Sequence, residues 1–191
     1  HNEITPNEGL DIASAKEPVV VRIEEKQYLI EPLGILGTAY IFGGGHISLH
    51  LASLTKMVGF NTIVVDDREE FCNRERFPEV EGLVLLPSFE QIKQNLVIDP
   101  DSYLIIVTRG HLHDKTVLSY ALKSKARYIG MIGSIKKRDA VYKQVMIEEG
   151  YSPDVFRKIH APIGLEIGAE SPEEIAISIV AELIKVRSGN Q

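Results

Sequence analysis

The chain has a single cysteine, Cys72, and no tryptophan. One thiol cannot close an intrachain disulfide, so a secreted disulfide scaffold is excluded. There is no apolar run long enough to span a bilayer, no stretch laid out like a signal peptide, no internal repeat and no low-complexity segment. An excess of positive charge is also missing. Against 27 Asp and Glu stand 21 Lys and Arg, a formal net charge of −6, which argues against general binding to nucleic acid or to an anionic membrane. A cytoplasmic location is the default expectation.

What is present is an ordinary globular balance. Hydrophobic residues make up 44% and charged residues 25% of 191 positions, enough for one core and a short appendage. The sequence opens on His1 rather than Met, as a piece of a longer chain would. Residues 1–17 are polar and aperiodic and read as a frayed terminus or linker end. Val19 to Ile23 and Tyr28 to Ile30 flank Glu24-Glu25-Lys26, the pattern of a β-hairpin that Pro32-Leu33-Gly34 ends. From Ala39 strands and helices alternate. Strands are expected at 39–42, 62–65, 83–86, 103–107 and 127–129. Helices are expected at about 46–58, 89–96, 114–123, 134–149 and from Ser171 onward, where Ser171-Pro172-Glu173-Glu174 has the form of a capping box. The fold class is therefore α/β and Rossmann-like: a mostly parallel sheet with helices on both faces, preceded by a short N-terminal β-hairpin. Residues 1–35 read as extension and hairpin, and 36–191 as the Rossmann-like domain.

Such sheets bind ligands where the carboxyl ends of the strands open at a switch point, and the unusual residues here follow strands. The first group is Gly43-Gly44-Gly45-His46-Ile47-Ser48, between an expected strand and an expected helix, where a glycine pattern carries information. Gly43 is expected to make the tight turn. Gly45 would let the backbone approach a phosphate held by amides at the helix start. Ser48 stands where a third glycine would be. His46 is a candidate to polarise a ligand or to cap its own loop. Asp66, 21 residues after Gly45, ends the second strand, the place to accept a hydrogen bond from a ribose. Asp67 and Arg68 follow. Arg68 is suited to stacking on adenine or pairing with a 2′-phosphate, and equally to a solvated loop.

The second group, Thr108-Arg109-Gly110-His111-Leu112-His113-Asp114, follows the fourth strand. Ligand hydrogen bonds are expected from Thr108, Arg109 and His111, and helix capping from Asp114. With no cysteine nearby and no second spaced histidine pair, no metal site is expected. The third group is Tyr128-Ile129-Gly130-Met131-Ile132-Gly133-Ser134 running into Lys136-Lys137-Arg138. Cations at a helix start oppose its dipole by about 0.3–1 kcal/mol each, which suits a bound anion; a solvated basic face is the competing reading. In the fourth, Ala161 to Glu170, the glycines make an irregular segment. Glu173 and Glu174 belong to the helix start, and Cys72 reads as a buried, inert thiol. No catalytic residue is assigned.

In order along the chain, Gly43-Gly44-Gly45-His46, Asp66-Asp67-Arg68, Arg76-Phe77-Pro78, Thr108-Arg109-Gly110-His111, Tyr128 to Ser134, Lys137-Arg138 and Pro162 to Ala169 through Pro172-Glu173-Glu174-Ile175-Ala176 resemble the XdhC/CoxI family of xanthine dehydrogenase accessory factors. The match runs over about residues 28 to 187. The resemblance implies a maturation factor that binds molybdenum cofactor (molybdopterin), a pterin dithiolene carrying a phosphate, protects it during sulfuration and helps insert it into xanthine dehydrogenase or a related molybdenum hydroxylase. Expected partners are that hydroxylase, a cysteine desulfurase and a second copy of the chain. Longer members carry an N-terminal domain where this chain has only its short extension. The runner-up is an NAD(P)- or FAD-dependent oxidoreductase, and a nucleotide-sensing module is a third class. Against the runner-up, no Tyr-x-x-x-Lys pair appears on a helix after the fourth strand.

Overall fold

The computed structural model describes residues 3–4, 19–23, 26–30 and 36–189. The chain falls into two compact units, residues 1–35 and 36–191. In the first, β1 (Glu3–Ile4), β2 (Val19–Ile23) and β3 (Lys26–Ile30) form a three-stranded sheet. β2 and β3 are antiparallel, with Val19 opposite Ile30 and Ile23 opposite Lys26, so the expected hairpin is there. The turn residues Glu24 and Glu25, and Pro32-Leu33-Gly34, lie outside the described residues. β1 is a correction. It lies in a stretch read as aperiodic, yet it pairs parallel to β2, a non-local pairing that local periodicity does not encode.

The second unit alternates as expected: β4 (Thr38–Phe42), α1 (His46–Met57), β5 (Asn61–Asp66), β6 (Gly82–Leu85), the short α2 (Ile92–Asn95), β7 (Ser102–Ile106), α3 (His111–Leu122), β8 (Tyr128–Met131), α4 (Ile135–Glu149) and α5 (Pro172–Arg187). The five strands are parallel, in the order β6-β5-β4-β7-β8. The chain builds outward from β4 on one side and returns to its other side with β7. The switch point lies between β4 and β7, where the loops entering α1 and α3 diverge. Beyond β8, His160 makes one parallel bridge to Gly130, so the chain between α4 and α5 extends the sheet edge.

Both faces are buried, which is why the strands read as apolar runs. Alternation sends Ala39 and Ile41 of β4, with Val64, Tyr103 and Ile105, against Leu51 of α1 and Ile179 and Leu183 of α5. Phe42, Val65, Leu104 and Ile106 meet Val117 and Leu118 of α3 and Val141 and Val145 of α4 on the opposite face. The capping box at α5 is complete: Ser171 accepts from the Glu174 N–H and Glu174 accepts from the Ser171 N–H. Among the described residues, no helix is long and apolar enough to cross a membrane.

Candidate functional site

The three glycines after β4 do different work. Gly43 has φ of +107°, and a Cβ there would stand 2.5 Å from the Val107 carbonyl oxygen. It makes the tight turn, as expected. A Cβ on Gly44 would strike the Phe71 carbonyl oxygen, so Gly44 admits the turn that follows β5. Gly45 answers to neither constraint. Its φ is −72°, it is the N-cap of α1, it supplies no side-chain cap, and among the described residues a Cβ would meet nothing within 4 Å. Ser48, in the place of a third glycine, is buried and donates to the Gly43 carbonyl. The hydroxymethyl group thus braces the loop from inside the helix. His46 is exposed at the first turn.

Asp66 stands at the end of β5, only 1% exposed. Its carboxylate accepts from Gly44 N–H at 2.7 Å, from Arg68 N–H at 3.0 Å, and from Arg68 Nε and Nη2 at 2.9 and 3.1 Å. Burial alone would push its carboxyl up. The hydrogen bonds from Arg68 and Gly44 outweigh that and hold it below the ordinary carboxylate range. Asp66 therefore braces the glycine loop, with both oxygens already engaged inside the chain. Arg68 is committed too, its guanidinium lying 3.7 Å from the centre of the Phe71 ring. Arg76, which the sequence reading passed over as a site residue, donates through Nη2 to the Gly44 carbonyl at 3.1 Å. Asp67 Oδ2 accepts from Arg109 Nη2 at 3.2 Å. Because β5 and β7 flank β4, this pair joins loops on either side of the glycine loop.

After β7, Gly110 repeats the pattern of Gly45. It is the N-cap of α3, with no side-chain cap and, among the described residues, open space where a Cβ would stand. The helix begins at His111, three residues before the expected Asp114, and Asp114 is not its cap. Asp114 is instead completely buried, accepting from Thr108 Oγ at 2.6 Å and paired with Lys137 Nζ of α4. Thr108 is thereby bound to the interior. His111 is exposed; His113 takes a 3.4 Å contact from Arg109 Nε. Among the described residues, no three His, Cys, Asp or Glu side chains gather as a metal set would.

The start of α4 differs from the reading of it as a basic anion site. Ser134 caps it, accepting from the Lys137 N–H at 3.2 Å. Lys137 neutralises Asp114, so its charge compensates a buried carboxylate rather than opposing the dipole unaided. Arg138 donates to the Ala161 carbonyl at 3.2 Å and pairs with Asp139. Gly130 is a packing glycine: a Cβ would lie 2.5 Å from both Ile163 Cδ1 and the Tyr128 hydroxyl. Gly133 makes room for the Lys137 side chain. Sequence spacing held the clue. Lys137, Val141 and Val145 share one helical face, and the two valines are buried. Only Lys136 of the three cations is fully on the exposed side.

A second buried network was missed. Glu182 of α5 accepts from the Tyr128 hydroxyl, from the Gly164 N–H at 2.9 Å and lies 3.1 Å from His160 Nδ1. Burial would raise its carboxyl, but His160, Tyr128 and the Gly164 amide hold it low, while burial beside this charge pushes the Tyr128 hydroxyl well up. The clue was Glu182 itself, in register with Ile175, Ile179 and Val186 on an otherwise apolar stripe. Cys72 is buried and burial raises its thiol, in keeping with an inert side chain.

Comparison with known proteins adds to this geometry. The family description "XdhC Rossmann domain" matches residues 39–183. A Bacillus subtilis (strain 168) protein named as a probable xanthine dehydrogenase subunit is 32% identical over 168 residues, covering 88% of this chain and 45% of that protein. The molybdenum cofactor insertion chaperone PaoD of Escherichia coli (strain K12) is 30% identical over 90 residues, covering 47% of this chain and 28% of PaoD. Among solved structures, a xanthine dehydrogenase from Bacillus halodurans matches with a TM-score of 0.72 and 30% identity, over 86% of this chain and 46% of that one. The chain spans less than half the length of these relatives.

Proposed function

The chain belongs to the XdhC family, and on that premise we propose that it holds molybdenum cofactor by its phosphate and acts as a maturation factor for a molybdenum hydroxylase such as xanthine dehydrogenase. One observation carries the binding half. At the switch point, α1 and α3 both start at a glycine N-cap with no side-chain cap and, among the described residues, open space beside it. The first backbone N–H groups of a helix have no intrahelical partner, and the macrodipole favours an anion there. Gly45 and Gly110 leave the approach to both sets clear. Arg109, next to Gly110 and 45% exposed, supplies a cation at the rim. The bound cofactor would bring the dithiolene and metal chemistry; this chain's residues hold the phosphate and orient what is attached to it. Cys72, buried and with a raised thiol, is unsuited to passing on sulfur, so the reading assigns sulfuration to a thiol outside this chain, such as that of a cysteine desulfurase.

The test is to purify the chain with no ligand added and identify by mass spectrometry what accompanies it. A pterin phosphate, together with faster activation of an apo-hydroxylase when the loaded chain is added, is the expected result. A nicotinamide or flavin dinucleotide with no effect on the hydroxylase would replace this reading with the oxidoreductase one.

A further inference from the structure

We propose that the cavity at the carboxyl ends of β5 and β6 is the subsite for the ring of a phosphate-bearing heterocycle whose edge carries amino or N–H donors. The proposal rests on the anion reading above for the position of the phosphate. The cavity is an open, shallow depression of about 340 Å³ lined by Asp67, Glu69, Leu85, Leu86 and Pro87, at the lower end of the roughly 300–1,000 Å³ of small-molecule sites. Its apolar wall is open: Leu85, the last residue of the edge strand β6, is 48% exposed. Two of its five lining residues offer no backbone donor, since the Leu86 N–H is bound to the Asp66 carbonyl at 2.9 Å and Pro87 has none.

The polar wall is acidic. Asp67 Oδ2 is held by Arg109, while Asp67 Oδ1 is buried and, among the described residues, has no hydrogen-bond partner, only a 3.8 Å approach from Arg68 Nε. Glu69 is exposed beside it. Two carboxylates and an apolar surface repel a phosphate and suit a flat ring that presents donors. The polarity of the crevice follows: anion toward Gly45 and Gly110, ring toward Leu85, with the Asp67–Arg109 pair between them. The ring therefore lies on the β5–β6 side of the switch point, away from the start of α4. A pterin and a nucleobase such as adenine both carry this donor chemistry.

Calorimetric titration of the whole chain with ribose 5-phosphate, adenosine 5′-monophosphate and 6-hydroxymethylpterin phosphate separates the possibilities. At least one ring-bearing ligand should bind about tenfold or more tighter than ribose 5-phosphate, from burial of the ring, and the tighter of the two identifies the source. Leu85→Glu, at an exposed position, should erase that advantage and leave ribose 5-phosphate within about twofold. Glu69→Gln should narrow the preference for adenosine 5′-monophosphate over purine riboside 5′-monophosphate, which lacks the amino group. Ring-bearing ligands no tighter than ribose 5-phosphate, or an advantage that survives Leu85→Glu, would overturn the ring subsite alone. Failure of all three ligands to bind would overturn the anion reading with it.

Discussion

The glycine-led starts of α1 and α4 stand at the carboxyl edge of the same sheet, and they differ in what the chain has left free. At α4 the hydroxyl of Ser134 caps the helix, Lys137 is paired with the buried Asp114, and Arg138 is tied to Ala161 and Asp139. At α1 the N-cap is Gly45, with no side-chain cap and, among the described residues, nothing within 4 Å of the position of a Cβ. In the cation-rich sequence Ser134, Lys137 and Arg138 are consumed by the fold, while the plain glycine sequence leaves the first amides of its helix without a side-chain acceptor. A polar group already satisfied by the interior is a poor ligand group, because releasing it exposes the desolvation cost of its partner.

The largest effect expected from this contrast is on stability. Lys137→Met should destabilise the chain by about 3 kcal/mol, since it strands a buried carboxylate, and chemical denaturation measures it. Adding Asp114→Leu should recover most of the loss. A Lys137→Met variant as stable as the parent would remove the distinction between the two helix starts. Next, Asp66→Ala should cost about 2 kcal/mol by leaving the Gly44 amide and Arg68 without their acceptor. It should weaken ribose-bearing and ribose-free phosphate ligands alike; a loss confined to ribose-bearing ligands would restore a direct ribose contact for Asp66.

At α1 the sign reverses. Gly45→Asp supplies the missing cap and a favourable charge, so the ligand-free chain should gain about 0.5 kcal/mol, while phosphate affinity falls about tenfold or more. Thermal melting and calorimetry on one preparation check both halves. The same change at the already capped α4 start, Ser134→Asp, should leave phosphate affinity nearly unchanged. The smallest effect is a pH dependence. Glu182 has a folded value below its ordinary one of about 4.3, so its contribution is fully present above that pH. It is lost as pH falls through it and then through the lower folded value. Glu182→Gln should flatten this acid limb of the stability curve, as urea midpoints between pH 6 and 3 would record, without changing phosphate affinity at neutral pH.

Local pattern located the strands and helices of the second unit because each element's periodicity is set by residues a few positions apart. The start of α3 was misplaced because Asp114 has the chemistry of a cap, and nothing nearby in sequence reveals that Lys137 draws it inward. The same distance hid the Tyr128–Glu182–His160 network, although Glu182 on an apolar stripe and Lys137 in register with Val141 and Val145 were local signs of buried partners. At β1, two residues pair with a strand well along the chain, beyond the reach of any local window.

By itself the sequence determined the alternation of elements, the glycine turn after β4, the acidic end of β5, the capping box of α5 and the family. Those are properties of short segments: backbone freedom, side-chain period and terminal hydrogen bonding. Tertiary structure decided which charges remain available. Whether Asp66, Arg68, Lys137 or Arg138 meets a ligand depends on partners brought from other elements, and a buried acceptor captures the nearest donor that the packing delivers. The same packing leaves Gly45, Gly110 and the face of Leu85 uncovered, because β5 and β7 carry their following loops to opposite sides of β4.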